Sequence, residues 1–284
     1  MIDGNAAPAD SAHVDLHAHT TESDGAVSPQ DLVAAARRAG LLAIAITDHD
    51  TIAGNDIAFA AGAAIGMRVV RGCELSAFDG DMEVHLLALH ISDAGAIRPS
   101  LEQFQRERVD RGGAIVERLA RVGAPISIDD VMAEAAGAAL GRPHIARVLI
   151  RAGHAADHRE AFDRFLGAGR PAYVAKPRLE VADAIGLAHS AGALAVWAHP
   201  GREGTRERLV RLEAHGLDGV EVRHPGHTPS DVVRLARLAT ELDLVPSGGS
   251  DWHGATEGYR TLGNMHVPEA WLDLQDARLA TRVS

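Results

Sequence analysis

The segment Val14–Gly25 constrains the fold and the chemistry of this chain more than any other segment does. Asp15, His17 and His19 occupy alternate positions directly after an apolar residue. Alternate side chains of a β-strand point to the same side, so a strand here would direct both imidazoles to one face. Core packing does not require these residues, because unpaired histidine and aspartate are costly to bury. The segment alone fits two interpretations equally well. It is either the end of a strand that binds a metal ion or a polar strand end with two solvated histidines.

Strand-like and helix-like segments alternate in the first and last thirds of the chain. The predicted strands are 14–16, 41–47, 67–74, 83–90, 193–198, 219–222 and a last one that begins at Val245. The predicted helices between them are 29–39, 52–64, 181–191, 207–215 and 231–242. This α/β alternation is typical of a parallel sheet covered by helices. Such folds place their active sites at the carboxyl ends of the strands.

Ionisable residues gather at those predicted strand ends. They are His17, His19, Asp24, His49, Glu74, His85, His199, Asp251 and His253. One such residue is usually a cap or a packing residue, but nine at the same end of successive strands indicate a metal site. Imidazole and carboxylate without thiolate suit Zn, Mn or Fe. Nine ligands exceed the needs of one ion and indicate two or three ions, with a bridging carboxylate and a bridging water acidified to hydroxide.

Composition excludes several classes of function. The formal net charge of −11 argues against a broad surface for duplex DNA. Cys73 is the single cysteine, so no disulfide can form within the chain. Residues 1–12 are predicted to be a disordered leader without the features of a signal peptide. No apolar run is long enough for a membrane span, and a cytoplasmic location is expected.

Residues 100–177 interrupt the alternation with helical segments and no clear strand. We therefore predict a helical insertion domain over 100–177, capping the active site of a domain formed by 13–99 and 178–284. The insertion contains Gly141–His144, which is either the ordinary start of a helix or a phosphate-binding element. An arginine and a histidine over the site could hold a phosphate by charge-assisted hydrogen bonds.

Five short motifs resemble the successive motifs of the PHP family, named for polymerase and histidinol phosphatase. They are Asp15–Thr20, Thr47–Thr51, Gly72–Leu75, Ala198–Pro200 and Gly249–His253. The resemblance covers almost the whole chain in the family's order. It implies a distorted (β/α)7 barrel with the helical insertion, and a di- or trinuclear metal site for phosphoester hydrolysis.

Three metal sites follow from the resemblance, with Mn as the first expectation and Zn or Fe as alternatives. The first ion would take His17, His19, Glu74 and Asp251. The second would share Glu74 and add His85 and His199. The third would take Asp24, His49 and His253. Asp15 is expected to take part in catalysis by hydrogen bonding a ligand histidine or a water.

The insertion motifs Gly141–Arg147 and Pro171–Val174 resemble those of 3',5'-nucleoside bisphosphate phosphatases and of relatives that trim RNA from its 5' end. By this resemblance Arg142 and His144 would hold a 5'-phosphate, with His144 also a candidate general acid. Other candidate substrate-binding residues are Lys176, His224 and His227, and Glu221 is a candidate support for the ligands. Strand alternation turns Cys73 and Trp252 away from the proposed metals.

The expected reaction is therefore removal of the 3'-phosphate from a nucleoside 3',5'-bisphosphate, with a metal-bridging hydroxide as the nucleophile. The expected partner is a small nucleotide or a short 5'-phosphorylated oligonucleotide, without duplex DNA or a membrane. One alternative is a 5'-3' exoribonuclease or phosphodiesterase acting on short 5'-phosphorylated RNA or on cyclic phosphates. An alternative from a different class is a non-catalytic metal-binding accessory module.

Overall fold

The computed structural model of the protein describes residues 13–282, so the predicted leader at 1–12 lies outside the described residues. Within them the chain forms one eight-stranded sheet, in the order β7-β6-β5-β4-β3-β2-β1-β8. The strands are β1 (His13–Asp15), β2 (Ala43–Ile46), β3 (Arg68–Asp79), β4 (Met82–Leu89), β5 (Leu194–Trp197), β6 (Gly219–Arg223), β7 (Val245–Gly248) and β8 (Val267–Pro268).

Ten α-helices accompany the sheet in the described range. They are α1 (Pro29–Arg38), α2 (Asn55–Ile65), α3 (Ala94–Arg121), α4 (Ile128–Ala135), α5 (Arg142–Arg151), α6 (His158–Ala161), α7 (Val181–Ser190), α8 (Arg206–Glu213), α9 (Pro229–Glu241) and α10 (Glu269–Arg282). A π-helical turn at Phe162–Leu166 follows α6, and a 3₁₀ turn at Gly201–Glu203 follows β5. None of the described helices is long and apolar enough to cross a membrane.

The sheet curls until its first and last barrel strands meet. The Leu16 amide donates to the Gly248 carbonyl at 3.0 Å, and the His19 amide donates to the Trp252 carbonyl at 2.9 Å. These bonds nearly close the sheet into a barrel, which confirms the predicted α/β barrel fold. They also draw the segment after β1 against the segment after β7, and both segments carry predicted metal ligands.

Strand β4 departs from the predicted parallel arrangement, because it runs antiparallel to both β3 and β5. Only Gly80 and Asp81 separate β3 from β4. A two-residue loop joins antiparallel strands, whereas a parallel pair needs a crossover of about a dozen residues. Strand β3 therefore extends past Glu74, its predicted end, to Asp79. The structure also contains β8 and α10, which the sequence analysis did not predict.

The predicted insertion contains a hydrophobic cluster that is separate from the core of the barrel. Its fully buried members include Leu119, Val131, Ile145, Leu149 and Leu166. Helix α3 runs unbroken through residue 100, so the predicted border falls inside a helix. The division into domains remains a prediction, and α3 is the element that physically joins the two clusters.

Gly249 provides a test of the closure, because a side chain there would collide with the segment after β1. An added Cβ would lie 2.5 Å from the His17 Cβ and 2.8 Å from Asp15 Oδ1. We expect Gly249→Ala to lower the free energy of unfolding by about 1–3 kcal/mol, as overpacking does. Urea denaturation measures this change.

Gly113→Ala is the matched control. Gly113 lies within α3, and nothing approaches the position of an added Cβ within 4 Å. The control should raise the free energy of unfolding by about 0.5–1 kcal/mol, because alanine loses less conformational entropy than glycine in a helix. Equal effects of the two substitutions would contradict the close approach at Gly249.

Candidate metal centre

Three overlapping groups of ligand atoms lie at the carboxyl-terminal side of the barrel strands. In each group the imidazole nitrogens and carboxylate oxygens all lie within 4.8 Å of one another. The groups are His17, His19, Glu74 and Asp251; His19, Asp24, His49 and His253; and His49, Glu74 and His85. Eight of the nine predicted metal ligands therefore fall into these groups.

Glu74 is the common centre of the ligand cluster and is only 1% exposed. Its Oε2 atom lies 3.3 Å from His17 Nε2, 3.2 Å from His19 Nε2 and 3.1 Å from His49 Nδ1. Its Oε1 atom lies 2.8 Å from His85 Nδ1 and 3.0 Å from His199 Nε2. The two oxygens thus face two different sets of imidazoles, which is the geometry of a bridging carboxylate.

Several of these atoms are buried and have no hydrogen-bond partner among the described residues. They are His17 Nε2, both ring nitrogens of His19, Asp24 Oδ1, His49 Nδ1 and Glu74 Oε2. These atoms lie close to one another, but they are not oriented so that they form hydrogen bonds with each other. Native proteins rarely leave so many buried polar atoms unsatisfied. Nitrogen and oxygen donors that converge without bonding one another fit divalent cations, and they include no thiolate.

The groups agree in part with the ligand sets that the family resemblance implies. The first set is reproduced in full. In the structure, His19 joins the set of Asp24, His49 and His253. The two ring nitrogens of His19 face different groups, because Nδ1 faces Asp24 and Nε2 faces Glu74. His199 stands outside the third group, but it contacts the same Glu74 oxygen as His85 does.

A surrounding layer of contacts orients the ligands. Glu221 Oε1 lies 3.1 Å from His17 Nδ1, and Glu221 Oε2 accepts from the His199 amide at 2.6 Å. With its Nδ1 proton directed at Glu221, the His17 ring presents the Nε2 lone pair to the metal cluster. Asp48 accepts from the Thr20 amide and hydroxyl, both at 2.7 Å, and thereby fixes the loop that leads to Asp24.

Charge balance within the cluster shifts several pKa values. Burial lowers the pKa of the His19 ring, but Asp251 and Glu74 outweigh this effect and raise it to about 10. Burial likewise opposes protonation of His85, and Glu74 overcomes it and raises the pKa to about 9. Burial dominates at His49 and lowers its pKa to about 3. Imidazolium charge therefore compensates the buried carboxylates wherever no cation is bound.

Asp15 lies deep beside the cluster and joins the barrel ends. Its Oδ1 accepts from the amides of Ser250 at 2.9 Å and His17 at 3.4 Å, and its Oδ2 accepts from the Gly263 amide at 3.0 Å. These partners are backbone amides rather than the ligand ring or water that the sequence suggested. Their geometry indicates a residue that positions the ligand-bearing segments.

The predicted substrate-binding residues of the insertion lie at the start of α5. Arg142 is its first residue, and His144 Nδ1 accepts from the Gly141 amide at 3.1 Å. His144 therefore has a capping role, as the ordinary reading of this motif suggested. Burial and the neighbouring Arg147 lower the pKa of His144, so its ring is neutral. Arg142 donates to the Leu166 carbonyl at 3.3 Å and has no acidic partner among the described residues.

The other three predicted substrate-binding residues are already engaged. Lys176 donates to Ser76 Oγ at 3.1 Å and forms an ion pair with Glu83. His224 Nε2 faces Asp251 Oδ2 at 3.4 Å. Both ring nitrogens of His227 are bonded to backbone, Nδ1 to the Val222 carbonyl and Nε2 to the Gly201 amide. His227 thus has no free nitrogen for a substrate.

Two arginines of α3 that the sequence analysis did not select lie next to the site. Arg108 binds the Asp50 carboxylate, directly after the ligand His49. Arg111 is only 8% exposed and donates from Nε to the Val174 carbonyl at 2.9 Å, but its Nη2 atom is buried without a partner. The sequence signal that could have identified these two arginines is their spacing of three residues, which places both on one face of α3.

Comparisons with known proteins agree with this geometry. The PHP domain family matches residues 15–107. A 5'-3' exoribonuclease of Haemophilus influenzae is 36% identical over 245 residues, which cover 84% of this chain and 89% of that protein. A 3',5'-nucleoside bisphosphate phosphatase of Chromobacterium violaceum is 34% identical over 89% of this chain and 91% of its own length.

A solved structure from Bifidobacterium adolescentis, described as a metal-dependent phosphoesterase, is 36% identical with a TM-score of 0.86. It covers 95% of this chain, which in turn covers 97% of it. The barrel, the clustered ligands and these relatives lead to one conclusion: the chain belongs to the PHP family and is a phosphoric ester hydrolase.

Proposed function

We propose that this enzyme removes the 3'-phosphate from nucleoside 3',5'-bisphosphates and leaves the 5'-nucleotide. Three divalent ions, with manganese as the first choice, would occupy the three ligand groups, and the enzyme would act in the cytoplasm. Arg111 and Arg142 would hold the 5'-phosphate, which does not react. Binding energy from this remote phosphate then orients the 3'-phosphorus at the metal centre.

The observation that carries the proposal is a pair of arginines, Arg111 and Arg142, that form no ion pair within residues 13–282 and donate to backbone carbonyls. Burial and the neighbouring charges of Arg142 and Arg108 lower the pKa of Arg111 to about 10. Burial is the largest cause of the shift, and Glu83 opposes it without cancelling it. A bound phosphate would supply a compensating anion and would accept from the unpartnered Arg111 Nη2.

Arg108, Arg111, Arg142 and Lys176 form a basic cluster, and two acidic residues link it to the metal ligands. Asp50 follows His49 and binds Arg108. Glu83 binds Lys176 and lies 3.6 Å from His85 Nε2. The cluster therefore adjoins the ends of β2, β3 and β4.

The side chains would act as follows in the proposed reaction. When bound, divalent ions supply Lewis-acid activation of water and neutralise charge on the phosphoryl group. Glu221 keeps the His17 lone pair directed at the cluster. Asp15 holds the His17 segment against Ser250 and Gly263, so the ligands are positioned before substrate arrives. The neutral His144 would donate a hydrogen bond rather than act as a strong acid.

Hydrolysis of short 5'-phosphorylated RNA is the second candidate function. Relatives from Haemophilus influenzae and Salmonella typhimurium, both 36% identical, are named 5'-3' exoribonucleases. Relatives named as hydrolases over most of this chain do not support the alternative of a non-catalytic module. The two candidate reactions use the same 5'-phosphate and the same metal centre.

The proposal predicts phosphate release from 3',5'-adenosine bisphosphate. With manganese the products should be 5'-AMP and phosphate, and chelation should stop the reaction. 3'-AMP and 5'-AMP should react more slowly, because each lacks one of the two recognised phosphates. Equal rates with 3'-AMP and the bisphosphate would contradict recognition of the 5'-phosphate.

The substitution Arg142→Ala tests recognition of the 5'-phosphate separately from the reaction at the metal centre. Loss of a charged hydrogen bond worth about 1.5–3 kcal/mol should raise KM for the bisphosphate about 10- to 100-fold. KM for an aryl phosphate, which has no second phosphate, should stay within about twofold. Arg121→Ala, at an exposed position of α3, is the matched control. Parallel losses on both substrates would rule out the assigned role of Arg142.

Glu221→Gln should weaken metal binding about 10- to 100-fold, because the amide is a poorer acceptor for the His17 ring and places a donor against the His199 amide. Metal content after dialysis against graded chelator measures the change. Glu213→Gln, exposed at the end of α8, is the control. Unchanged metal content in Glu221→Gln would show that Glu221 does not orient a ligand.

Metal binding to the metal-free protein should release protons at pH 7. His19 and His85, with pKa values of about 10 and about 9, are protonated there and must lose a proton to bind a metal. Apparent affinity should therefore rise from pH 7 to pH 9. Calorimetry in buffers of different ionisation enthalpy counts the protons released.

His85→Gln should reduce that count by about one. His215→Gln is the control, because this exposed residue after α8 lies outside the ligand groups. A heat of binding that does not depend on the buffer would contradict the prediction.

A further inference from the structure

A large groove beside the metal centre has no part in the proposed reaction of a mononucleotide. This α9 groove has a volume of about 880 Å³ and lies between the end of β6, α9, the segment after β7 and Trp271 of α10. Its lining includes Arg223, His224, Arg237 and Tyr259. The volume falls in the range of about 300–1,000 Å³ that is typical of pockets for small organic ligands.

The α9 groove opens directly beside the metal ligands. His224 lines both the groove and the pocket that contains Glu74, His199 and Asp251. Tyr259 lines the groove, and the next residue, Arg260, lines the metal pocket and binds Asp251. His224 and the neighbouring residues Tyr259 and Arg260 therefore place the groove next to the metal pocket.

The groove has the chemistry of a site for single-stranded nucleic acid. Tyr259 is 79% exposed and offers a free aromatic face. Arg223 lies over the ring of Trp271 and has no acidic partner among the described residues, whereas Arg237 is paired with Glu241. Glu241 is the single acid of the lining, and its carboxylate already contacts Arg206 and Arg237. Stacking on aromatic faces together with flanking cations is how proteins hold unpaired bases.

The groove and the basic cluster adjoin different parts of the metal centre. Arg108 and Lys176 lie beside the ends of β2, β3 and β4, whereas His224 follows β6. Strand β5, which precedes His199, separates them in the sheet. A nucleoside bisphosphate with its 5'-phosphate on the cluster and its 3'-phosphate at the metals would not reach the groove.

We propose that the α9 groove binds the nucleotide on the 3' side of the scissile phosphate in 5'-phosphorylated single-stranded RNA. The proposal rests on the proposed phosphoesterase function. In both substrates water gives its oxygen to phosphorus, the bond from phosphorus to the 3'-oxygen breaks, and a proton passes to that oxygen. In the bisphosphate the phosphorus leaves as inorganic phosphate, whereas in RNA it remains as the 5'-phosphate of the next nucleotide. The groove holds that next nucleotide.

The test compares 3',5'-adenosine bisphosphate with a 5'-phosphorylated adenosine hexanucleotide on the manganese-loaded enzyme. Tyr259→Ala should lower the ratio of kcat/KM for the hexanucleotide to kcat/KM for the bisphosphate by about fivefold or more, because a stacked base is lost. Tyr259→Phe should restore the ratio. Phe59→Ala, a partly exposed aromatic on α2, is the matched control and should leave the ratio unchanged.

Binding supplies a readout that does not depend on turnover. Fluorescence anisotropy of a labelled hexanucleotide with phosphorothioate linkages, which resist hydrolysis, should show weaker binding to Tyr259→Ala than to the wild type. An unchanged ratio with unchanged binding would overturn the proposal. Equal losses for both substrates would also overturn it, because the groove would then hold the first nucleoside.

Failure of the proposed function gives a different result. Wild-type enzyme would then hydrolyse neither substrate. Weaker binding of the phosphorothioate hexanucleotide to Tyr259→Ala would still support the groove as an RNA site. Equal binding to the wild type and Tyr259→Ala would reject the groove as well.

Discussion

The buried carboxylate of Glu74 is the constraint on which the rest of the site depends. Burial would raise its pKa, but the surrounding imidazoles, first among them His49 and His85, hold the pKa well below its usual range. An anion at this depth is stable only when positive charge surrounds it on every side. His17, His19 and His85, whose pKa values are raised, supply this charge in the protein alone, and divalent cations at the same positions would supply it with fewer protons.

The barrel brings those rings to Glu74 through backbone pairing rather than through side-chain contacts. His49 pairs with Glu74 by a parallel bridge, and Ala18, between two ligands, pairs with Trp252, between two others. The antiparallel strand β4 places His85 opposite Ser76, two residues beyond Glu74 on the same side of β3. The register of the strands thus sets the geometry of the ligands. Gly249 permits the close approach between the segment after β1 and the segment after β7.

The ligands were predicted from short motifs at the ends of predicted strands. The structure instead places Glu74 and His85 inside β3 and β4, and the antiparallel pairing of these strands brings both side chains into the cluster. The sequence did not identify residues whose roles arise only when distant segments of the chain come together in the fold. Arg111 looks like any charged residue of an amphipathic helix until the Tyr173–Val174 segment folds over it. Strand β8 has two residues and no periodicity to detect, and it exists because it pairs with β1. The direction of β4 depended on a two-residue loop, which outweighed the expected alternation.

Chain order would also let the enzyme distinguish the two ends of the RNA substrate that we propose. The insertion leaves the barrel after β4 and returns before β5, so its arginines reach the metal centre beside β3 and β4. The α9 groove is built after β6 and β7, on the far side of β5. The proposed sites for phosphate recognition and base stacking are therefore separated along the sheet by strand β5. In the proposed arrangement, an RNA strand with its 5'-phosphate on the insertion side would extend its 3' portion toward α9, because His224 lines both the metal pocket and the groove.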